Sequence, residues 1–207
     1  MSRDFATLAI NRHRMQTDGK GITSLVALAG CPLSCPYCIN HDLLKDTGLL
    51  EQISPVNLVE RLAIDHCYFL YTGGGVTFGG GEPLLQAENI LEFSNVCPKE
   101  WAVNIETSLN VPFKQLEPLL NGRFSFIIDI KAMQPDIYKK YTGLDNRQVI
   151  NNLKKICRKL ETDQYIVKVP LIPEYSEKKS VNESMELLQE LGIPKENIMS
   201  FEYIKLL

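Results

Sequence analysis

The sequence predicts an α/β fold in which about six parallel strands alternate with helices, as a partial (β/α)6 barrel. Two observations support this prediction: short apolar runs recur along the chain, and segments with helical spacing lie between them. Right-handed crossover connections of this kind favour a parallel sheet. About six units are too few for a closed eight-stranded barrel, so we expect a partial barrel or an open curved sheet.

The predicted strands are apolar runs bounded by turn signals or glycines. The first covers residues 22–29, follows a polar turn at residues 18–21 and leads directly into a cysteine-rich loop. The other five predicted strands cover residues 76–78, 101–107, 124–130, 165–171 and 198–204. Functional residues are expected at the carboxyl ends of these strands.

The predicted helices fill the intervals between the strands. One begins at Ser54-Pro55, with proline at the first helical position, and Val56, Val59 and Leu62 keep helical spacing along it. The other predicted helices cover residues 84–93, 112–120, 135–141, 148–160 and 177–191.

Composition limits the class of protein. The 207 residues are 44% apolar and 23% charged, which is typical of a globular chain with a sizeable core, and we expect one domain over residues 1–207. A net charge of −3 without a basic block gives no indication of nucleic acid or a membrane surface. Six cysteines without an export signal predict reduced thiols or metal ligands in the cytoplasm.

Three of the cysteines lie in one loop, at Cys31, Cys35 and Cys38. Their spacing allows three sulfurs to converge, and three thiolates on a cubane iron–sulfur cluster leave one iron without a protein ligand. The alternatives are a zinc site completed by His41 and three buried thiols without metal. The isolated cysteines are interpreted as buried structural thiols; they are Cys67, Cys97 and Cys157.

Polar residues follow the next three predicted strands at the points where those strands end. Carboxyl ends of parallel strands meet at one edge of a sheet, so these residues are expected to lie together. Glycines there let backbone groups approach a ligand closely. The candidates are Gly79, Gly80, Gly81 and Glu82 after the second strand, Glu106 and Thr107 at the third, and Asp129 and Lys131 at the fourth.

The pattern Cys31-x3-Cys35-x2-Cys38, with Tyr37 before the last cysteine, resembles the motif of radical S-adenosylmethionine (SAM) enzymes. Within that superfamily the chain resembles the glycyl-radical-enzyme activating enzymes, of which the pyruvate formate-lyase activating enzymes are the type. The resemblance extends over residues 21–173, with its most specific blocks at 73–86, 129–131, 141–146 and 167–173. Residues 39–78 contain one cysteine, Cys67, which points to the short subtype without a ferredoxin-like insert.

This resemblance implies a fold of the radical SAM type, a [4Fe–4S] cluster on the three loop cysteines, and SAM chelating the fourth iron through its amine and carboxylate. It implies that the backbone of residues 79–81 binds the methionyl amine with support from Glu82, that Tyr37 lies beside the adenine, and that Lys131 pairs with the carboxylate. Asp129 and Lys131 are the further catalytic candidates, and Lys168 is a SAM contact where the family often has arginine. A monovalent cation is implied near Glu106, Thr107, Ile127 and Asp129.

The implied activity is reductive cleavage of SAM, followed by hydrogen abstraction from a glycine of a partner glycyl radical enzyme. A flavodoxin or ferredoxin is the implied electron donor, and the protein is expected to be a monomer. One alternative is a radical SAM enzyme that acts on a small molecule or peptide, similar to 7-carboxy-7-deazaguanine synthase. Another is a non-catalytic iron–sulfur or zinc protein.

The chain departs from the family pattern in three places. Gly79 stands where the family usually has serine or threonine, and Glu174 follows Pro173 where the family tends to have glycine. The sequence stops at Leu207, where the family normally continues with a Pro-aromatic-His element and a further helix. We therefore expect a shortened C-terminal element or a site that is closed differently.

Overall fold

The computed structural model describes residues 4–15, 17–45, 48 and 50–203. Its strands are β1 Phe5–Met15, β2 Ile22–Leu28, β3 Glu51–Ile53, β4 Gly75–Gly80, β5 Ala102–Thr107, β6 Phe124–Asp129, β7 Tyr165–Leu171 and β8 Ile198–Glu202. Its helices are α1 His41–Lys45, α2 Pro55–Leu62, α3 His66–Thr72, α4 Ala87–Val96, α5 Phe113–Leu116, α6 Pro135–Thr142, α7 Arg147–Lys159 and α8 Lys178–Glu190.

All the described strands form one sheet, in the order β3-β1-β2-β4-β5-β6-β7-β8. Every neighbouring pair from β2 to β8 is parallel, whereas β1 is antiparallel to both β2 and β3. The six parallel strands are those predicted from the sequence, which confirms the α/β fold class. The sequence interpretation missed β1 and β3, and the predicted end of the last strand at residue 204 lies outside the described residues.

Side chains alternate between the two faces of the parallel strands. The outer face carries buried apolar residues that pack with the helices into the hydrophobic core, as Val76 and Phe78 do in β4 and Phe126 and Ile128 do in β6. The inner face carries polar residues at the intervening positions, which are Thr77, Asn104, Glu106, Asp129 and Lys168. The core therefore lies outside the sheet, and its inner face is left for polar contacts.

Helix α2 shows how a cap sets the buried side of a helix. The Ser54 hydroxyl accepts a hydrogen bond from the Asn57 amide at 3.2 Å, which fixes the helix start that the sequence predicts. The buried positions are Pro55, Leu58 and Leu62, and Val56 is 49% exposed. The expected apolar face was therefore right in part, because Leu62 is buried and Val59 packs against the core, whereas Val56 is exposed.

The turn between β1 and β2 packs against the inner face of the sheet. Asp18 is only 4% exposed, and its backbone carbonyl accepts hydrogen bonds from Thr77 and Asn104. The neighbouring carbonyl of Thr17 accepts from Lys168 Nζ at 3.1 Å. Only Asp18 of this polar turn is buried, and strands β4, β5 and β7 supply donors for the carbonyl groups of Thr17 and Asp18.

None of the helices in the described ranges combines the length and the apolar composition needed to cross a bilayer.

Candidate active site at the carboxyl edge of the sheet

The cysteine loop is held between two elements of the barrel. The Ser34 amide donates to the Thr142 carbonyl at 2.9 Å, which ties the loop to the end of α6. Asn40 Nδ2 donates to the Gly80 carbonyl at 3.0 Å, which ties the loop to the end of β4. The Cys38 amide donates to the Cys35 carbonyl at 3.2 Å, forming a tight turn. The loop that carries the three cysteines is therefore anchored to the ends of α6 and β4.

Burial disfavours the thiolate form of two of the cysteines in this loop. The pKa of Cys31 is raised to about 11 and that of Cys35 to about 12, mainly by burial and to a smaller extent by the neighbouring sulfurs. The positive charge of Lys131 opposes this effect only in part. Bound iron would stabilise the thiolates that burial disfavours, so this donor set fits a cluster.

The side chains that could bind a metal do not form a compact site for a single ion. Among the described residues, no three His, Cys, Asp or Glu side chains converge as ligands of one metal ion do. A cubane cluster binds each thiolate through a different iron atom, so its cysteines surround a volume and need not meet at a point. His41 is exposed at the start of α1, and its amide donates to the Cys38 carbonyl at 3.1 Å.

Glu82 joins the ends of β4 and β5. It is 1% exposed and accepts hydrogen bonds from the hydroxyls of Thr107 and Ser108, both at 2.6 Å, and from the Ser108 and Leu84 amides at 3.0 and 3.2 Å. Burial raises the pKa of Glu82, and these donors oppose the rise. Its carboxylate is therefore occupied by neutral donors, whereas the sequence interpretation expected it to support a cationic amine.

The three glycines at the end of β4, Gly79 to Gly81, differ in their surroundings. Gly80 has a φ of 88°, and a Cβ there would lie 2.7 Å from Ala27, so only glycine fits. The Gly81 amide already donates to the Leu28 carbonyl at 2.9 Å. A Cβ at Gly79 would lie 3.4 Å from Glu106 Oε2, on the inner face. Gly80 and Gly81 therefore serve close strand packing, and Gly79 keeps the inner face open.

Asp129 and Lys131 form an ion pair at the end of β6 that also includes Tyr203. Lys131 Nζ donates to Asp129 Oδ2 and to the Tyr203 hydroxyl, the latter at 2.6 Å. Burial is the largest influence and lowers the pKa of Lys131, but Asp129, Tyr203 and Cys35 together outweigh it and hold that pKa well above its ordinary value. Asp129 Oδ1 is buried and has no hydrogen-bond partner in the described part of the chain. The site thus has one unsatisfied acceptor beside a buried cation.

Glu106 and Lys168 form a second ion pair on the inner face, with 3.0 Å between Glu106 Oε1 and Lys168 Nζ. Burial raises the pKa of Glu106, Lys168 lowers it, and the charges of Asp129 and Asp18 raise it again. Each polar side chain expected around a monovalent cation therefore already has a protein partner, because Thr107 donates to Glu82, Glu106 Oε1 pairs with Lys168 and Asp129 Oδ2 accepts from Lys131.

An aromatic cluster lies beside the cysteine loop. The Tyr37 ring lies 6.3 Å from Tyr141 and 5.9 Å from Tyr175, and Tyr141 and Tyr175 lie 5.0 Å apart. Sequence reasoning identified only Tyr37, although Tyr141 begins one of the blocks that carry the family resemblance. Glu174 adopts a φ of 68°, in the left-handed region that favours glycine. The loop thus keeps a glycine-like conformation at the position where the family has glycine.

Electrostatic contacts show which predicted residues come together. The pKa of Cys35 responds to Lys131 and Asp129, and that of Cys31 responds to Glu82 and Lys131. The loop and the ends of β4 and β6 therefore converge at one edge, as the sequence predicts.

The isolated cysteines lie elsewhere. Cys97 is buried against Arg123 as expected, Cys157 is half-buried, and Cys67 is exposed on α3, so the prediction that it is buried was wrong. Cys67 lies on the outer side of α3, where the buried residue of that helix is Phe69.

The comparisons with known proteins agree with this geometry. Residues 25–188 match the model of the radical SAM superfamily. The chain is 36% identical over 154 residues to the (2S)-3-sulfopropanediol dehydratase activating enzyme of Klebsiella oxytoca, covering 73% of this chain and 47% of that protein. It is 30% identical over 190 residues to the pyruvate formate-lyase-activating enzyme of Clostridium pasteurianum, covering 92% of this chain and 76% of that protein.

A solved structure gives the same fold. The crystal structure of Streptococcus suis SuiB bound to S-adenosylmethionine superposes with a TM-score of 0.63 at 13% identity, covering 86% of this chain and 38% of that chain. This similarity concerns the fold alone. The chain spans about half the length of its Klebsiella oxytoca relative.

A parallel sheet with a three-cysteine loop at its carboxyl edge and a superfamily match over most of the chain define a radical SAM protein. The chain belongs to that superfamily and, within it, to the family of the pyruvate formate-lyase-activating enzymes. This family implies a [4Fe–4S] cluster and SAM.

Proposed function

We propose that this protein activates a glycyl radical enzyme. One electron and SAM give methionine and a 5′-deoxyadenosyl radical, and this radical takes a hydrogen atom from the Cα of a glycine in the partner protein. The products are 5′-deoxyadenosine and a glycyl radical, so each activation consumes one electron and one SAM. The proposal is supported by the relatives, since both are activating enzymes by name.

The observation that carries the proposal is the convergence of the cysteine loop with the ion pair of Asp129 and Lys131. A loop with three half-buried thiols offers an iron site that lacks a fourth protein ligand. Beside it stand a lysine ammonium and an unpaired carboxylate oxygen, Asp129 Oδ1. The methionyl part of SAM carries a carboxylate and an amine. It therefore complements a site that offers a cationic donor and an unpaired carboxylate oxygen side by side.

In this proposal Cys31, Cys35 and Cys38 hold the cluster, which when bound supplies the electron that breaks the C–S bond of SAM. Lys131 binds the carboxylate of SAM. The strand end at Gly79 lets the ligand approach the backbone, where carbonyl groups accept hydrogen bonds from the amine.

The remaining candidates act around the ligand. In this proposal Tyr37 lines the part of the site that binds the adenine of SAM, together with the neighbouring rings of Tyr141 and Tyr175. The hydrogen bond between Glu82 and Thr107 joins the ends of β4 and β5. The ion pair between Glu106 and Lys168 holds the inner face of the sheet together. A closed, preorganised wall matters because a primary alkyl radical reacts with any nearby C–H bond.

We further propose the setting in which the protein works. A one-electron carrier of the flavodoxin or ferredoxin class supplies the electron, the protein acts as a monomer with its chemistry in a single domain, and its compartment is the reducing cytoplasm. Free thiols at all six cysteines are compatible with such a compartment.

The experiment is anaerobic reconstitution with iron and sulfide, followed by reduction in the presence of SAM. We expect 5′-deoxyadenosine and methionine in equal amounts, and a glycyl radical signal in electron paramagnetic resonance when a glycyl radical enzyme is added. Absence of SAM cleavage by a protein with a full cluster would contradict the proposal. Turnover of a small molecule or peptide without any protein partner would favour a different radical SAM activity.

Two variants make the test specific. Cys35→Ala should abolish cluster incorporation and SAM cleavage together, because a cubane with two cysteine ligands is not retained. The matched control, Cys67→Ala, removes an exposed thiol on α3 and should leave both unchanged. Equal loss in the two variants would indicate a general effect of cysteine removal and would contradict the assignment of the loop.

A further inference from the structure

Tyr203 directly follows β8 and reaches into the site, and it was not among the residues predicted from sequence motifs. Its amide donates to the Leu171 carbonyl at 3.0 Å, so the pairing of β8 with β7 continues to this residue. Its hydroxyl lies 2.6 Å from Lys131 Nζ and 3.2 Å from Asp129 Oδ2. The strand end thereby contributes a polar group to the ion pair at the end of β6.

The protons in this cluster can be assigned from the donor inventory of each group. An ammonium only donates and a carboxylate only accepts, so Lys131 donates to the Tyr203 oxygen and the Tyr203 hydroxyl donates to Asp129 Oδ2. The three groups form a closed ring of hydrogen bonds. One N–H of Lys131 is then left over, and Asp129 Oδ1 remains without a partner among the described residues.

We propose that Tyr203 is a positioning residue for SAM, an inference that rests on the proposed function. The lysine side chain is long and flexible, and a single carboxylate partner leaves its ammonium free to rotate about the ion pair. A second partner on another strand fixes the ammonium, so that its remaining N–H points to one place. Tyr203 therefore determines how Lys131 meets the carboxylate of SAM.

The ring of Tyr203 has a separate, structural role. It packs 5.4 Å from Phe201 and 6.4 Å from Tyr141, and Lys131 Nζ lies 5.3 Å from its centroid. Loss of the whole side chain would disturb β8 and the aromatic cluster as well as the ion pair. Loss of the hydroxyl alone affects only the ring of hydrogen bonds, so Tyr203→Phe is the informative variant and Tyr203→Leu reports the packing.

The test measures SAM binding to the oxidised, cluster-loaded protein by equilibrium dialysis, because the reduced protein would cleave SAM during the measurement, and turnover is measured separately after reduction. We expect Tyr203→Phe to raise the Kd and KM for SAM about tenfold, as for a lost hydrogen bond to a charged group, with kcat changed less than about twofold. Cluster content and Tm should stay at wild-type levels. The control, Tyr68→Phe, removes a hydroxyl from α3 and should leave the Kd unchanged.

The outcomes separate the two proposals. A wild-type Kd in Tyr203→Phe would overturn the positioning role, even if Tyr203→Leu is damaged, because the residue would then act only through packing. A fall in kcat without a change in Kd would also overturn it. Failure of the wild-type protein to bind and cleave SAM would overturn the proposed function, and the role of Tyr203 with it.

Discussion

The two faces of the parallel strands are built from alternating residues of the same short segments, yet different forces hold them. In β4, Val76 and Phe78 face the helices and are fully buried among apolar side chains, whereas Thr77 faces inward and donates to a backbone carbonyl. The outer face depends on shape and buried area, which are insensitive to pH. The inner face depends on matched donors, acceptors and charges. A polar side chain there that loses its partner lowers the stability of the fold. The proposed site is made from the inner face.

The largest effect is expected on the outer face. Phe78 is fully buried, with its ring centroid 5.3 Å from Phe5 and 5.1 Å from Phe93. Phe78→Ala removes a packed ring and should lower the free energy of unfolding by about 3–5 kcal/mol. Urea unfolding should give the same loss at pH 5 and pH 8. The control, Val56→Ala on the exposed side of α2, should cost less than about 0.5 kcal/mol. A strong pH dependence for Phe78→Ala would break the distinction between the faces.

The next effect concerns the joint between β4 and β5. Thr107→Val keeps the shape of the side chain but removes the hydroxyl that donates to Glu82 at 2.6 Å. A buried carboxylate that loses one of its donors should cost about 1.5–3 kcal/mol in the free energy of unfolding, measured in urea. Thr162→Val, at an exposed threonine, is the matched control. Equal stability of the two variants would show that the other donors satisfy Glu82 without Thr107.

A smaller, pH-dependent effect is expected at the ion pair of the inner face. Lys168→Met leaves Glu106 beside Asp129 and Asp18 without its counter-ion, so the pKa of Glu106 should rise further above its ordinary value of 4.5. A carboxyl group with a raised pKa in the folded state binds protons more tightly than in the unfolded state. Stability is therefore lost as the pH rises from about 4.5 through the raised pKa. We expect a loss of about 1–2 kcal/mol at pH 8 and little at pH 4, because Glu106 keeps 29% of its side chain exposed.

The double variant Lys168→Met with Glu106→Gln provides the check on this cause. Without the carboxylate there is no uncompensated charge, so the additional pH dependence should disappear and part of the stability should return. A pH profile that is identical in the single and double variants would show that Lys168 acts through packing of its stem and not through its charge.

The two faces also differ in how far the sequence predicts them. The outer face follows from apolar side chains, and all six parallel strands were found because Val, Ile or Phe recurs in each of them. β1 was missed because its second half, up to Met15, is exposed and polar and so lacks an apolar period. β3 was missed because its three residues are too few to show any period.

The inner face was predicted only in part. Strand ends and the cysteine spacing identified the edge where Glu106, Asp129 and Lys131 meet. Which groups pair there depends on long-range contacts such as Lys168 with Thr17 and Lys131 with Tyr203, and a sequence read one segment at a time does not contain them. Tyr203 could have been suspected only from its position at the end of the last predicted strand.

The smallest expected effect concerns the monovalent cation that the family resemblance implies. Glu106 pairs with Lys168 at 3.0 Å, and Asp129 Oδ2 pairs with Lys131, so lysine ammonium groups already supply positive charge on this part of the inner face. Exchange of Na+, K+ or choline at constant ionic strength should therefore change the Kd for SAM less than about twofold, which is no more than general screening produces. In Lys168→Met the carboxylate of Glu106 is freed for a small cation, and SAM binding should become tighter in Na+ or K+ than in choline. A wild-type protein that requires K+ for binding would show that the two lysines do not take the place of the cation.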